Sequence, residues 1–125
     1  MVAFAWNVTN SVTPGGGGGG AGTVAFDSFH VVKLLDATSP ALLGITFRGT
    51  HVAEVRLDVA VRRGVTASYE LSNVIIVVNE RHASESGGPP LQELSLDATA
   101  VRETLTTPGG TVTSCFDLKT VGACE

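Results

Sequence analysis

Apolar and polar positions alternate through residues 3–9, where Phe4, Trp6 and Val8 recur at every second place, the period of a half-buried strand. Residues 24–35 read as a second, longer strand, with Val24, Phe26, Val31 and Val32 apolar and Asp36 at its end. Ser39-Pro40 then supplies an N-cap residue followed by a proline suited to the first helical position, and residues 40–48 run without a breaker until Gly49. This predicts one short helix of about two turns. Residues 51–62 carry Val52, Val55, Leu57, Val59 and Val61 mostly at alternate positions and stop at the turn Arg63-Gly64. Residues 69–81 contain Val74-Ile75-Ile76-Val77-Val78, a β-branched run apolar on both faces, as expected of a strand covered on both sides by the fold or by a neighbour. Alternation returns over residues 91–105 through Leu94, Leu96, Ala98 and Ala100, and Pro108-Gly109-Gly110 turns the chain into residues 111–124. Five or six strands and one short helix predict a mainly β protein, a small antiparallel β-barrel or sandwich.

Between the first two strands, Thr13-Pro14 leads into Gly15, Gly16, Gly17, Gly18, Gly19 and Gly20, where the absence of side chains and the entropic cost of ordering oppose regular structure. Residues 14–23 are expected to form a flexible loop, and residues 83–90, rich in Ser, Gly and Pro, a second loop. Cys115 and Cys124 are the sole cysteines and bracket the turn-like Lys119, Thr120, Val121 and Gly122. A hairpin over 111–125 would bring the two sulfurs within bridging distance, and a disulfide would place the mature protein in an oxidising compartment; the alternative is a pair of free thiols near the terminus.

With 125 residues the chain suffices for one compact domain over 1–125. A mean hydropathy of +0.27 with only 16% charged residues suggests that some apolar surface is covered by other chains. The net charge is -4 and the basic residues are scattered, which argues against nucleic acid as a partner. No apolar run approaches the ~20 residues that span a bilayer, and the first ten residues lack the basic start and apolar stretch of a signal peptide, so neither a membrane anchor nor a leader is expected.

The candidate chemistry is thin. The glycine run lacks the Gly-Lys-Ser or Gly-Lys-Thr ending of a phosphate loop and leads into a strand instead of a helix. His30, His51 and His82, with Asp27, Asp36, Glu54 and Asp58, match no metal-ligand spacing, so no metal and no cofactor are expected. No Gly-x-Ser-x-Gly occurs, and no catalytic residue is assigned. Asn7-Val8-Thr9 fits the N-glycosylation pattern, a match short enough to arise by chance.

Several local patterns nevertheless occur in a particular order. They are Phe4-Ala5-Trp6, then Gly20-Ala21-Gly22-Thr23, Phe26-Asp27-Ser28-Phe29-His30, Lys33 and Asp36, and Thr38-Ser39-Pro40-Ala41-Leu42-Leu43. Gly49-Thr50-His51, Glu54-Val55-Arg56-Leu57, Tyr69-Glu70-Leu71-Ser72-Asn73-Val74 and Leu91-Gln92-Glu93-Leu94-Ser95-Leu96 follow. In this order and spacing, from Phe4 to about Val101, the chain resembles the haemolysin-coregulated protein (Hcp) family, the tube component of type VI secretion systems. It departs from the family in three places. Members usually carry Lys or Arg where Thr23 stands and an additional barrel strand ahead of the Phe4 region, and the cysteine-bounded tail from Ser114 to Glu125 replaces their usual last strand region.

The resemblance implies a non-enzymatic subunit that forms hexameric rings stacked into a tube, secreted or extracellular after a cytoplasmic start, with itself as chief partner and sheath or spike proteins as further ones. It makes the glycine loop, Gly15 to Gly20, the candidate for ring stacking. The sheet face of Val55, Leu57 and Val59 and the run of Val74, Ile76 and Val78 are candidates for lateral contact, with ordinary core packing as the alternative for each. The helix is expected to plug one barrel mouth. Pro40, Leu42, Leu43 and Phe47 lie on it, and because Leu42, Leu43, Ile45 and Phe47 cannot all face inward, at least one is left for a partner. A rival reading, favoured by the cysteines and the acidic charge, is a secreted filament or adhesin-like binding protein that reuses the barrel outside a contractile machine.

Overall fold

A computed structural model describes residues 3–11, 23–83 and 85–124, the side chains of Ser11 and Thr23 excepted. The glycine run at 15–20, and with it the predicted stacking loop, lies outside the described residues. The elements in chain order are β1 (Ala3–Ala5), β2 (Val8–Ser11), β3 (Thr23–Phe26), β4 (Phe29–Leu34), α1 (Ser39–Arg48), β5 (Val52–Arg62), β6 (Val65–His82), β7 (Leu91–Asp97), β8 (Ala100–Thr107), β9 (Gly110–Asp117) and β10 (Gly122–Ala123). The described residues thus hold ten strands where alternation alone suggested five or six.

The extra strands arise where a continuous extended run is broken by a local hydrogen bond. At Asp27 the chain leaves β3, because the Asp27 amide donates to the Asn7 carbonyl and the Trp6 indole donates to the Asp27 carbonyl, 3.0 Å each. The predicted strand over 24–35 is therefore two strands in two sheets, and the one over 3–9 divides in the same way into β1, paired with β4, and β2, paired with β3. Likewise Thr99 donates to Ser72 O at 3.0 Å and splits the predicted strand over 91–105 into β7 and β8, both antiparallel to β6 along one edge.

Strand β6 is the spine. Its first half pairs with β5 on one side and β8 on the other, and from Ile75 onward it pairs with β7. Between the halves Asn73 adopts φ 51, a left-handed conformation that asparagine tolerates better than most residues, and a bulge follows between Ile76 and Val78. These two irregularities bend the spine so that the limb β1–β4–β7 curls over the limb β5–β6–β8–β9–β10. The product is the mainly β, antiparallel barrel with one short helix that the sequence predicts, curled as a half-barrel instead of a closed cylinder.

The core lies between the limbs. Phe29 and Val31 of β4, Leu94 and Leu96 of β7, Leu71, Val74 and Ile76 of β6 and Val101 of β8 form one buried cluster. Aromatic rings lock the limbs together: Trp6 stacks on Phe29 with centroids 4.7 Å apart, and Tyr69 of β6 meets Phe4 at 5.1 Å and Phe29 at 5.9 Å. Burial, with a hydrogen bond and negative charge from Glu103, pushes the Tyr69 phenol up to about 12.

The helix is tied to the sheet by a polar network. Its N-cap is Thr38, not the expected Ser39, which lies inside the first turn and is 2% exposed. The reason is a better partner: the Ser39 hydroxyl donates to Gln92 Oε1 at 2.9 Å and accepts from the Asp36 amide at 3.0 Å. Gln92, 0% exposed, also accepts from Lys33 Nζ and donates to Asn79 Oδ1. Asn79 in turn donates to the Thr46 hydroxyl, and Arg81 donates to the Ser39 carbonyl, so both ends of the helix are fixed to β6 and β7. Gly49 ends the helix at φ 63, where any side chain would be strained.

Candidate assembly surfaces

The candidate lateral residues divide sharply by burial. Val74 and Ile76 belong to the chain's own core at 0% and 6% exposure, so their side chains offer a neighbour nothing. The run 74–78 is not covered on both faces either: the bulge turns Val77 outward and Val78 lies beyond it, leaving them 47% and 39% exposed. Val55 and Leu57 are half-buried against the core, and Val59 follows them on the same inward face of β5.

Beyond Val59 that inward face outruns its cover. Cross-strand register places Leu105 and Val112 on the same side as Val59 and Ala67, yet they are 39% and 69% exposed, and Val61, left unpaired at the register shift between Ala60 and Arg62, is 54% exposed. The turns at the tips of the β5–β6 and β8–β9 hairpins sit side by side, with Pro108 3.4 Å from where a Cβ on Gly64 would stand. The result is a lip of two adjoining hairpin tips that leaves Val61, Leu105 and Val112 exposed. The sequence reading did not single out Leu105 and Val112, whose alignment with Val59 depends on pairing across four strands.

The helix leaves a second apolar surface. Leu42 and Ile45 pack on the core, whereas Leu43 and Phe47, one turn apart, face outward at 40% and 90% exposure. Pro40 is exposed at the helix start.

A third surface joins the β2–β3 hairpin to the β9–β10 hairpin. Trp6, Val8, Phe26, Phe116, Leu118 and Val121 line an open apolar groove of about 460 Å³. One wall of it is stapled: Cys115 and Cys124 form a disulfide, with Cα atoms 5.0 Å apart, and the Cys124 amide donates to the Cys115 carbonyl. Asp117 organises the turn between these strands by accepting from the Thr120 and Lys119 amides, which hold its carboxyl below the usual range.

Polar groups cluster on the outer faces. On β5 and β6, Arg56 pairs with Asp58 at 2.9 Å and Glu70 at 3.9 Å, and the Ser68 hydroxyl and Arg56 together lower the Asp58 carboxyl. Of the residues weighed as metal ligands, His30 bonds Ser95 Oγ at 3.0 Å, Asp36 caps the approach to the helix, and Asp58 is held by Arg56; these do not converge. His82 instead meets Glu80 and Glu93, two residues that spacing in sequence did not connect with it.

An antiparallel half-barrel with one helix docked on its spine defines an Hcp-type architecture. The family model described as type VI secretion system effector, Hcp, matches residues 1–104, and the chain belongs to that family, one of secreted secretion-system proteins and not of enzymes. Among solved structures, Hcp1 from Salmonella typhimurium shares 20% identity at a TM-score of 0.77, over 98% of this chain and 82% of that one. A structure described as a type six secretion system protein gives 18% identity and a TM-score of 0.84, covering 98% and 84%. A type VI secretion system effector from Yersinia pestis gives 21% and 0.69, covering 93% and 81%. A search of curated proteins found no match. The disulfide hairpin lies beyond the matched 104 residues.

Proposed function

We propose that this protein, a single domain, is a self-assembling tube subunit that associates laterally into rings, hexameric as in the family resemblance, and stacks ring on ring. Membership of the Hcp family supports the reading, and the observation that carries it is the presence of unlike apolar surfaces on one small chain, the lip of Val61, Leu105 and Val112 and the helix face of Leu43 and Phe47. Ring closure requires a heterologous contact, in which one patch meets a different patch on the next copy, and two unlike patches are what such a contact needs. Apolar side chains as exposed as Phe47 and Val112 favour association, since each fully buried residue of this size contributes about 1.5–3 kcal/mol. Val78, with Val55, Leu57 and Val59 behind the lip, completes the lateral candidates. The glycine loop, Gly15 to Gly20, is the candidate for stacking because a backbone without side chains conforms to a neighbour's surface. Sheath and spike proteins of a secretion system are the further partners.

Electron microscopy of the purified protein, untreated and after reduction, tests the reading. Rings or stacked tubes support it, and loss of rings on Phe47→Glu substitution ties them to the helix face. A monodisperse monomer in both conditions overturns it. The Cys115–Cys124 disulfide, beyond the matched family region, favours a second reading: an extracellular filament or adhesin-like protein that assembles without a contractile machine. Assembly by purified protein that never engages a sheath would select this alternative.

A further inference from the structure

On the outer face of the half-barrel, cross-strand register sets Glu80 of β6 directly opposite Glu93 of β7, and His82 stands two residues along β6 on the same face. Like charges facing each other across a strand pair repel. Among the described residues neither carboxylate has a lysine or arginine partner: Arg81, next to Glu80 on β6, lies on the other face and donates to the Ser39 carbonyl. What fills the gap is the His82 ring, whose Nε2 lies 2.8 Å from Glu93 Oε2 and 3.3 Å from Glu80 Oε2. One ligand atom from each residue falls within 4.8 Å of the other two. With metal-to-ligand distances of about 2.0–2.1 Å, the edge of a tetrahedral zinc site is about 3.3 Å, so two of the three edges are already near that length.

We propose that Glu80, His82 and Glu93 bind a first-row divalent transition-metal ion through one imidazole nitrogen and two carboxylate oxygens, with the remaining coordination positions open to water. An imidazole in the set selects such ions over calcium and magnesium, which take oxygen ligands. The strands supply the rigidity. β7 is paired on both sides, to β4 and β6, so the backbone under Glu93 is fixed and only side-chain rotations of Glu80 and His82 are needed to close on an ion. The metal replaces the hydrogen bond between His82 and Glu93 and neutralises the facing carboxylates.

Calorimetric titration of the full, disulfide-bonded chain with zinc chloride, and separately with magnesium chloride, tests this. The expected result is saturable binding of one zinc ion and no matching magnesium signal. His82→Ala and Glu93→Gln should each weaken zinc binding by more than the roughly 10–100-fold typical of losing an outer-shell partner, while His51→Ala leaves it unchanged. All three ligands are about half exposed, so the variants should keep the wild-type fold, and circular dichroism verifies this. A zinc-induced rise in melting temperature in the wild type but not in His82→Ala is the second readout. No saturable zinc binding, or binding equally strong in His82→Ala, would overturn the proposal.

Discussion

Gln92 offers the sharpest test of how this sequence holds its helix to its sheet. It is 0% exposed and joins three elements: Oε1 accepts from the Ser39 hydroxyl at 2.9 Å and Lys33 Nζ at 3.3 Å, and Nε2 donates to Asn79 Oδ1 at 2.9 Å. In Gln92→Ala the Lys33 ammonium keeps Asp36 at 3.1 Å and half-buried Asn79 recovers part of its loss from water. The Ser39 hydroxyl, 2% exposed, retains its bond from the Asp36 amide but has nowhere to place its proton. A buried group left unpaired costs about 1–3 kcal/mol, a typical lost bond about 1 kcal/mol, and the vacated volume adds to both. The expected destabilisation is about 3 kcal/mol, or roughly 10 °C in melting temperature for a chain of this size. Urea unfolding at one fixed protein concentration measures it, since assembly would otherwise add to the apparent stability. Gln92→Leu fills the space without restoring the bonds and should remain at least about 1.5 kcal/mol below wild type. If the leucine variant matched wild type, the network would contribute packing alone and the hydrogen-bond reasoning would be refuted.

Three further outcomes follow from the same geometry. The Asp36 carboxyl is lowered to about 2 by bonds from the Thr38 hydroxyl and amide, so its stabilisation is present above the unfolded value near 4 and is lost as pH falls through 2; acid titration of Asp36→Asn should lack that part of the wild-type loss. Phe29→Ala, which removes a 1% exposed ring stacked on Trp6 and tilted against Tyr69, should cost about 3–5 kcal/mol by calorimetry, and a cost below 1 kcal/mol would contradict the assigned core. Reducing the Cys115–Cys124 bridge, which closes a sequence separation of 9, should cost no more than about 3 kcal/mol in urea unfolding, with altered hydrogen exchange confined to the β9–β10 hairpin; global loss of protection would show that the staple supports the whole fold.

How much of this was legible in the sequence depends on the range of the interaction involved. The helix was legible because Pro40 and Gly49 are local signals, and the strand periods were legible because burial follows side-chain alternation. The disulfide hairpin was legible from two cysteines around a turn. Less visible were the breaks at Asp27 and Thr99, each made by a hydrogen bond to a distant residue, and the place of Ser39, which looks like a cap until Gln92 is seen beside it. The run 74–78 misleads for a related reason: Val77 and Val78 are apolar yet exposed, because the bulge shifts their register. Surfaces were the least legible. The alignment of Leu105 with Val112 and the cluster of Glu80, His82 and Glu93 exist through cross-strand register, and the exposure of Val61 goes with a register shift, neither of which alternation within a single strand encodes.

The central claim is that this chain assembles through apolar surfaces its own fold leaves uncovered, and sedimentation velocity of the purified protein, with Phe47→Glu and Val112→Glu as companions, tests it most directly. The account predicts a species at six times the 12.8 kDa chain mass, or larger stacks of it, reduced toward monomer by either substitution. A wild-type protein that sediments at 12.8 kDa at every concentration would contradict it.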